Sequence, residues 1–225
     1  MLRVYGLAAM TALLLCATQV SAQSHTFDFE SGGDQGWGNK FADDASADFP
    51  IVNIGGSNRL AVLRNGDFQE AERASGDTNE PFFMALDAAA NNEAGYLLSY
   101  DYYIDTSGGG YGSFLQVGTY VNAGNGYYAQ DFPGAGKDLE LNSDQLASGQ
   151  VFSGTVTESF SAKGYDLPTA QTFFRTGLII NGDGANATVY FDNVSIRPVP
   201  EPAALTLIAL AMPAFAIARR RFARR

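Results

Sequence analysis

Aromatic side chains in glycine-rich segments are the first residues of this chain whose chemistry suggests a ligand. Tyr111 lies among glycines, and Tyr127 and Tyr128 follow the turn-forming sequence 122–126. An exposed aromatic ring can stack on the apolar face of a sugar while nearby polar groups bind its hydroxyls. We therefore consider these tyrosines, and Trp37, the only tryptophan, as candidate glycan contacts. Packing in the core or between strands is the alternative for the tyrosines, and it is the preferred interpretation for Trp37.

The titratable residues give little support to an enzyme. His25 is the only histidine and lies near the expected mature N-terminus, where chains tend to fray. No Gly-x-Ser-x-Gly sequence is present, so no nucleophile elbow is indicated. Asp101 and Asp105 share a predicted strand face, but four residues separate them by about 13 Å, more than the roughly 5 to 9.5 Å between glycosidase carboxylates. A glycan-processing enzyme stays open as an alternative because the chain has many other acids.

Alternating hydrophobicity predicts β-strands along most of the region 23–198. The segment 96–105 alternates with a period of two, which is typical of a strand with one buried face. The same reasoning predicts strands at 115–121, 152–160 and 174–180, and shorter ones at 24–29, 49–54, 59–63, 82–86 and 188–196. Short helices are expected only at 68–74 and around 138–147. Glycine-rich turns separate these segments, so we predict an all-β sandwich of about eight or more strands.

The region 23–198 is strongly acidic and lacks cysteine. Cys16 is the only cysteine, so this region can form neither a disulfide nor a zinc–thiolate site. It has 23 acidic residues (24 minus Glu201) and 8 basic residues (14 minus Arg3 and the five C-terminal arginines), which gives a net charge of −15. Such a charge repels nucleic acid and anionic lipid and suits divalent cations. We therefore predict no nucleic-acid partner.

The N-terminal segment 1–22 has the features of a secretory signal peptide. Arg3 precedes an apolar run at 7–17, and the small residues Ser21 and Ala22 follow it. This pattern predicts export through the Sec translocon and cleavage after Ala22.

The C-terminal segment 199–225 combines a proline-bracketed acid, an apolar stretch and a basic end. Its parts are the motif Val199, Pro200, Glu201, Pro202, the uncharged stretch 203–218 and the basic tail 219–225. As a helix, 203–218 would span about 24 Å, somewhat less than the roughly 30 Å of a hydrocarbon core. We predict a membrane helix at 203–218 with the arginines on the cytoplasmic side.

This tail resembles the PEP-CTERM sorting signal of Gram-negative bacteria that make exopolysaccharide. The matching features are Pro200, Glu201 and Pro202, the apolar run from Ala203, and the terminal arginine cluster. The resemblance implies that an exosortase, a membrane transpeptidase-like protease, cuts near the motif. The protein would then be anchored only transiently and end at the cell surface or in the extracellular matrix. An ordinary single-span anchor is the alternative.

The two ends of the region 23–198 resemble the jelly-roll, galactose-binding-like fold of many carbohydrate-binding modules. The residues that carry this resemblance are Phe27 to Gly32, Gly36, Trp37 and Tyr190 to Ile196. It implies that the first and last strands pair and that acids near both ends share a structural Ca²⁺. The implied ligands are Glu30 and Asp192, with Asp28 as a weaker third. Carboxylates suit Ca²⁺, and solvated acids on an edge strand are the alternative.

These observations predict a signal peptide at 1–22, a jelly-roll-like β-sandwich at 23–198 and a sorting signal at 199–225. The expected function is that of a secreted, non-catalytic protein of the cell surface or exopolysaccharide matrix that associates with extracellular polysaccharide. The alternatives are a β-sandwich glycan-processing enzyme and a purely structural surface-layer protein.

Overall fold

A computed structural model describes residues 24–39, 49–63, 68–90, 95–125, 128–131, 136–160, 172–184 and 187–199. Their strands belong to one compact unit, Gln23–Pro198. The predicted signal peptide at 1–22, the motif residues Pro200, Glu201 and Pro202, and the predicted membrane helix at 203–218 lie outside the described residues. Within the described ranges, no helix combines the length and the apolar content needed to cross a bilayer.

The described residues form a β-sandwich of two sheets, which confirms the predicted all-β fold. The strands are β1 (His25–Phe27), β2 (Trp37–Asn39), β3 (Ile51–Ile54), β4 (Ser57–Leu63), β5 (Phe68–Ser75), β6 (Tyr96–Asp105), β7 (Phe114–Asn125), β8 (Tyr128–Asp131), β9 (Gly136–Asn142), β10 (Val151–Phe160), β11 (Phe173–Gly182) and β12 (Thr188–Pro198). The helices are α1 (Pro81–Ala90) and α2 (Ser143–Leu146), and a 3-10 turn covers Thr106–Gly108.

Among the described residues, each sheet has six strands. The first sheet has the order β10-β6-β12-β4-β3, and the second has the order β2-β5-β11-β7-β8. In the first sheet β1 also pairs with β12, and in the second β9 also pairs with β7. The first and last strands therefore pair, as expected, with His25 opposite Ile196.

Strand β6 shows how the hydrophobic pattern places the core. Leu98, Tyr100 and Ile104 are fully buried, whereas Ser99 and Asp101 between them are partly exposed. Because successive side chains of a strand point to opposite faces, this alternation directs one face of β6 inward and the other outward. The segment 96–105 was predicted as a strand with these bounds, and β6 confirms it.

Three local predictions are wrong. The segment 82–86, expected to be a strand, lies inside helix α1. The segment 68–74, expected to be a helix, is strand β5, which pairs with β11 on one side and β2 on the other. The expected helix at 138–147 is mostly strand β9, and only the four-residue helix α2 follows it.

Helix α1 contacts both sheets. It begins at Pro81, whose fixed φ and missing N–H suit the first turn of a helix. Phe82, Phe83 and Leu86 are buried, and the helix contacts β1, β11 and β12. The alanines of the helix favour the α conformation. The apolar residues that were predicted to form a strand therefore form the buried face of a helix.

An aromatic cluster near the start of the domain encloses Trp37. Trp37 is fully buried, and its ring lies 5.4 Å from that of Phe27 at an interplanar angle of 86°. Phe27 in turn lies 5.5 Å from Phe82 of α1. The Arg73 guanidinium lies over both phenylalanine rings, at 6.0 Å from Phe27 and 5.3 Å from Phe82, and forms an ion pair with Glu80. The cluster therefore joins β1, β2, β5 and α1 into one packed unit.

Candidate functional site

The structure brings Glu30 and Asp192 together through a serine hydroxyl. The Ser57 Oγ lies 3.0 Å from Glu30 Oε1 and 2.5 Å from Asp192 Oδ2. Glu30 Oε1 also accepts a hydrogen bond from the Asn58 backbone N–H at 3.2 Å. The loop after β1, the first residue of β4 and strand β12 thus position these oxygens. We call Glu30, Ser57 and Asp192 the carboxylate cluster.

The chemistry of the carboxylate cluster fits a cation. One hydroxyl donates one hydrogen, yet the Ser57 Oγ has a carboxylate oxygen on each side. Asp192 is only 3% exposed, and within the described residues it forms no ion pair. A buried carboxylate is stabilised by a cation or by several hydrogen bonds, and a bound Ca²⁺ would accept all three oxygens as ligands.

Asp28, the third predicted ligand, is not part of this cluster. Its Oδ1 accepts hydrogen bonds from the Glu30 backbone N–H at 3.3 Å and from Gln35 Nε2 at 3.0 Å. Across the described ranges, no group of three or more acidic, histidine or cysteine side chains is placed to hold a metal. The carboxylate cluster therefore supplies two carboxylates and a hydroxyl, and the contacts of Asp28 stabilise the loop that carries Glu30.

The structure does not place the predicted aromatic platform on the surface. Tyr111 is only 6% exposed, and its hydroxyl donates to the Asp105 carbonyl at 2.8 Å. Trp37 lies in the core, as its preferred interpretation stated, so neither ring is available for stacking. Tyr127 and the side chain of Tyr128 lie outside the described residues, and their proposed glycan contacts stay predictions.

The outer face of the second sheet carries a band of polar side chains that the sequence reading did not single out. Strand register aligns these side chains in rows across β5, β11 and β7, because directly paired residues point to the same face. One row contains Glu72, Gly177 and Tyr120, and the next contains Arg175 and Asn122. A more distant row contains Asn181 and Gln116 of β11 and β7 and Glu140 of β9. We call these residues the polar face.

Hydrogen bonds and an ion pair connect the centre of the polar face. The Tyr120 hydroxyl donates to Glu72 Oε2 at 2.6 Å, and Arg175 Nη1 lies 3.3 Å from the same oxygen. Arg175 Nε donates to Asn122 Oδ1 at 2.6 Å. Asn122 is 2% exposed and Tyr120 is 7% exposed, although both lie on the outer side of the sheet. The centre is therefore enclosed by its neighbours, and its side chains are held in fixed orientations.

A glycine allows the aromatic ring of the polar face to lie flat on the sheet. A Cβ at Gly177 would overlap the Tyr120 ring, with Tyr120 Cδ1 at 2.7 Å. The Arg175 guanidinium lies 6.0 Å from the centroid of the same ring. Gly118 on β7 is a second outward position without a side chain, opposite Ile179. Gly177 thus makes room for the Tyr120 ring.

The distant row continues the same chemistry. Asn181 Nδ2 donates to Gln116 Oε1 at 3.2 Å, and Gln116 Nε2 donates to Glu140 Oε2 at 3.3 Å. An amide has a donor and an acceptor in one plane, and a carboxylate has two acceptors in one plane, so each can bind the adjacent hydroxyls of a sugar ring. Glu140 is exposed, and Gln116 and Asn181 are partly exposed, so this row meets solvent.

A separate perturbed acid, Asp138, lies between the two sheets. Its Oδ2 accepts hydrogen bonds from the Tyr100 hydroxyl of β6 and from Thr119 Oγ1 of β7, each at 3.0 Å. Burial raises the pKa of Asp138 to about 6, and the negative charge of Glu158 adds to this effect. Asp138 thus connects the sheets through two buried hydroxyls and is a structural acid of the sandwich.

Comparisons with known proteins find similarity only among solved structures. No family model matches the chain, and no curated protein matches it. A carbohydrate-binding module of family 28, specific for non-crystalline cellulose, is 16% identical, with 76% of this chain and 93% of that chain covered and a TM-score of 0.48. A family 27 module described for mannan recognition is 17% identical, covers 78% of this chain and 96% of its own, and has a TM-score of 0.48. A family 11 module from Clostridium thermocellum, in complex with a mixed-linked tetrasaccharide, is 13% identical, covers 79% and 97%, and has a TM-score of 0.45.

Register explains why sequence reasoning missed the polar face. Its residues are spread over β5, β7, β9 and β11, and only strand pairing brings them into rows. The available signal was the alternation in segment 68–75, where acids at 70 and 72 alternate with Ala71 and Arg73. That pattern fits a strand with a polar outer face, but it was interpreted as a helix.

Proposed function

We propose that this protein is a non-catalytic glycan-associating domain that binds polysaccharide on the polar face. The observation that carries the proposal is that the side chains of Arg175 and Glu72 are partly exposed and are held in place by the buried Asn122 and Tyr120. Arginine, amide and carboxylate groups offer a sugar several donors and acceptors at once. Groups already held in place lose little conformational entropy on binding, so the arrangement favours recognition of a hydroxyl-rich chain.

The absence of a coupled acid–base arrangement in the polar face favours binding over hydrolysis. Among its described residues, the Glu72 carboxylate is occupied by Tyr120 and Arg175, and Glu140 is hydrogen-bonded to Gln116 in a different row. Glycoside hydrolysis needs two carboxyl groups on opposite sides of one bond, about 5 to 9.5 Å apart. Glu70, two residues from Glu72 on the same face of β5, is only 3% exposed. The partly exposed carboxylates of the polar face therefore each have a neutral or cationic partner, which suits recognition.

Binding to a panel of polysaccharides by affinity electrophoresis tests this function. The panel contains soluble mixed-linkage β-glucan, glucomannan, xylan and alginate. Replacing Arg175 with methionine removes charged hydrogen-bond donors, and we expect affinity for the bound glycan to fall roughly 10- to 100-fold. The matched control is Arg197→Met, which removes an exposed arginine from the other sheet. Equal binding by the wild type and Arg175→Met would reject the polar face as the site.

Release of reducing sugar by the purified protein tests the enzyme alternative. We expect no release from any member of the panel. Release that a single acid substitution abolishes, for example Glu140→Gln, would replace the binding proposal with a glycan-processing activity.

We further propose that the carboxylate cluster holds a structural Ca²⁺. The ion would neutralise the buried Asp192 and connect strand β12 to the start of β4 and to the loop that carries Glu30. We expect Ca²⁺ to raise the melting temperature of the EDTA-treated protein, and Glu30→Gln to abolish that increase. Asp28→Asn is the control, since Asp28 binds the backbone N–H of Glu30 but none of the three oxygens of the cluster. An identical melting temperature with and without Ca²⁺ would exclude the ion.

We also propose that the protein is exported and sorted at the cell surface by an exosortase. The proposal rests on the signal peptide pattern at 1–22 and the motif from Val199 to Pro202. In cells, Pro200→Ala combined with Glu201→Ala should leave an uncut form in the inner membrane. Mass spectrometry of the C-terminus then gives the cleavage position. Normal processing of the double variant would reduce the segment 199–225 to an ordinary anchor.

A further inference from the structure

The outer face of the first sheet carries a pair of tyrosines that are not part of the polar face. Tyr103 of β6 and Tyr190 of β12 are directly paired in the sheet, and their ring centroids lie 6.0 Å apart at an interplanar angle of 67°. Both rings are partly exposed. Within the part of the chain that the structure describes, neither hydroxyl forms a hydrogen bond, so both are available to a ligand.

Small side chains flank this pair, so the rings stand above the sheet. Ala61 of β4 is paired with Tyr190, and Ser153 of β10 is paired with Tyr103. The row across the sheet is therefore Ala61, Tyr190, Tyr103, Ser153. The two rings meet edge to face between short residues and form an apolar surface that spans two strands, which lie roughly 4.8 Å apart.

The neighbouring row is polar and lies roughly 7 Å away along the strands. Asp192 is paired with Asp101, and Asp101 with Thr155, whose hydroxyl donates to Asp101 Oδ1 at 2.5 Å. Asn193 Nδ2 donates to Asp101 Oδ2 at 2.8 Å. Arg59 precedes Leu60, the β4 residue that is paired with Phe191, and so lies near this row. Amide, hydroxyl and carboxylate groups thus lie beside the two aromatic rings.

No described residue accepts a hydrogen bond from the guanidinium of Arg59. Its guanidinium lies 5.3 Å from the centroid of the Tyr103 ring. Among the described residues it forms neither an ion pair nor a hydrogen bond, and its Nε is buried without a partner. Stacking on Tyr103 holds the guanidinium in place, so its remaining N–H groups can bind ligand oxygens. We call Tyr103, Tyr190, Arg59, Asp101 and Thr155 the tyrosine face.

We propose that the tyrosine face is a second binding site for a neutral polysaccharide chain, so that one domain bridges two chains. The inference rests on the proposed function of the polar face, which lies on the opposite sheet. Aromatic rings beside polar groups match the apolar faces and hydroxyl edges of sugars. The acids Asp101 and Asp105 flank the tyrosines, and the region 23–198 has a net charge of −15 (8 minus 23), so a neutral chain is favoured over a uronate-rich one.

A second copy of the protein fits this face less well. The exposed large apolar residues of the described chain are Leu63, Met84 and Val151. Leu63 and Val151 lie on opposite edges of the face, in a row whose middle positions are Thr188 and Asp105. A stable dimer needs about 800 Å² per partner with an apolar centre, and this face has a polar one. Two copies would also bring two strongly acidic domains together.

Light scattering from soluble polysaccharide tests whether the purified protein bridges polysaccharide chains. The probes are glucomannan and mixed-linkage β-glucan, with alginate as the charged comparator. Scattering should rise as protein is added, pass through a maximum and fall when excess protein occupies each chain separately. Tyr103→Thr combined with Tyr190→Thr should abolish the maximum while one site per protein still binds in calorimetry. Tyr103→Phe combined with Tyr190→Phe retains the rings and should keep a clear maximum.

Controls separate the two sites. Ser159→Ala, at the far end of the same sheet face, should behave as the wild type, and melting curves identify any variant that fails to fold. Arg175→Met should weaken the polar-face site about tenfold or more and also reduce bridging, since bridging needs both faces.

Undiminished bridging by the Tyr103→Thr and Tyr190→Thr variant would overturn the inference, as would wild-type binding without bridging. A wild-type dimer that this variant dissociates would assign the face to self-association, and a protein that binds no probe would reject the proposed function itself.

Discussion

Replacing Asp138 with asparagine should stabilise the protein near neutral pH. The Asp138 carboxylate accepts hydrogen bonds from the fully buried Tyr100 and Thr119. Its pKa is raised to about 6, mainly by burial and to a smaller extent by the negative charge of Glu158, although the hydrogen bonds from Thr119 and Tyr100 act to lower it. Burial also raises the pKa of Tyr100, so its hydroxyl stays protonated and donates. The fold therefore favours the neutral form of Asp138.

The sign and the size of the effect follow from linkage. Below about pH 4 the carboxyl group is protonated in the folded and unfolded chains, so it costs no stability. The cost appears as pH rises and is complete above the folded pKa of about 6. From 3.8 to about 6, at about 1.36 kcal/mol per pH unit, the cost is about 3 kcal/mol. Asp138 is only half-buried, so screening by solvent reduces this to about 1 to 2 kcal/mol.

Urea unfolding followed by the fluorescence of Trp37 measures this effect. Asparagine keeps an oxygen for both hydroxyl donors but carries no charge. We expect Asp138→Asn to be more stable by about 1 to 2 kcal/mol near pH 7, and equal to the wild type near pH 4. Asp183→Asn is the control of opposite sign, because hydrogen bonds from Ser113 lower the pKa of Asp183. Lower stability of Asp138→Asn near pH 7, or an unchanged pH slope, would refute the reasoning.

Two further predictions concern acid sensitivity and the polar face. Burial, and to a smaller extent the positive charge of Arg73, lowers the pKa of His25. The folded protein therefore favours the neutral ring and loses stability as pH falls below about 6.5. Replacing His25 with glutamine should lessen the fall in the urea midpoint between about pH 7 and 5. Gly177→Ala should cost about 1 to 3 kcal/mol and weaken glycan binding, since its Cβ would displace the Tyr120 ring. Gly154→Ala is the control, with its nearest contact at 3.2 Å. Equal stability of the two alanine variants would contradict the second prediction.

The fold was predictable where burial alone determined the pattern. Strand β6 alternates buried and partly exposed residues along its length, so its bounds could be read from the sequence. The segment 82–86 is a short apolar run, and periodicity does not distinguish a buried strand from a buried helix over so few residues. Segment 68–74 contains good helix formers, but pairing with β11 and β2 outweighs their propensity.

The candidate sites were less predictable because tertiary pairing creates them. Glu30 and Asp192 were named from a resemblance of the chain ends, and the structure places them on either side of Ser57. Ser57 is 27 residues from Glu30 in the sequence, and no sequence motif predicts that the two are in contact. Tyr111 looked exposed because glycines surround it, but its hydroxyl bonds the Asp105 carbonyl. A glycine-rich segment predicts backbone freedom, and it does not predict where an aromatic ring points.

An irregularity in β12 explains how one strand serves both the carboxylate cluster and the core. The register shifts between Asp192 and Ser195, and Asn193 has a φ of 49°, a conformation that asparagine tolerates better than most residues. Before this bulge, Tyr190 and Asp192 point outward, and after it Val194 and Ile196 are fully buried. In a regular strand all four would share one face. The extra residue therefore lets β12 present a carboxylate and a tyrosine to the outside and still pair through apolar residues with β1. Because three steps along β12 oppose two along β6 at this point, the side chains that precede and follow Asn193 alternate as in a regular strand once this one residue is left out of the count.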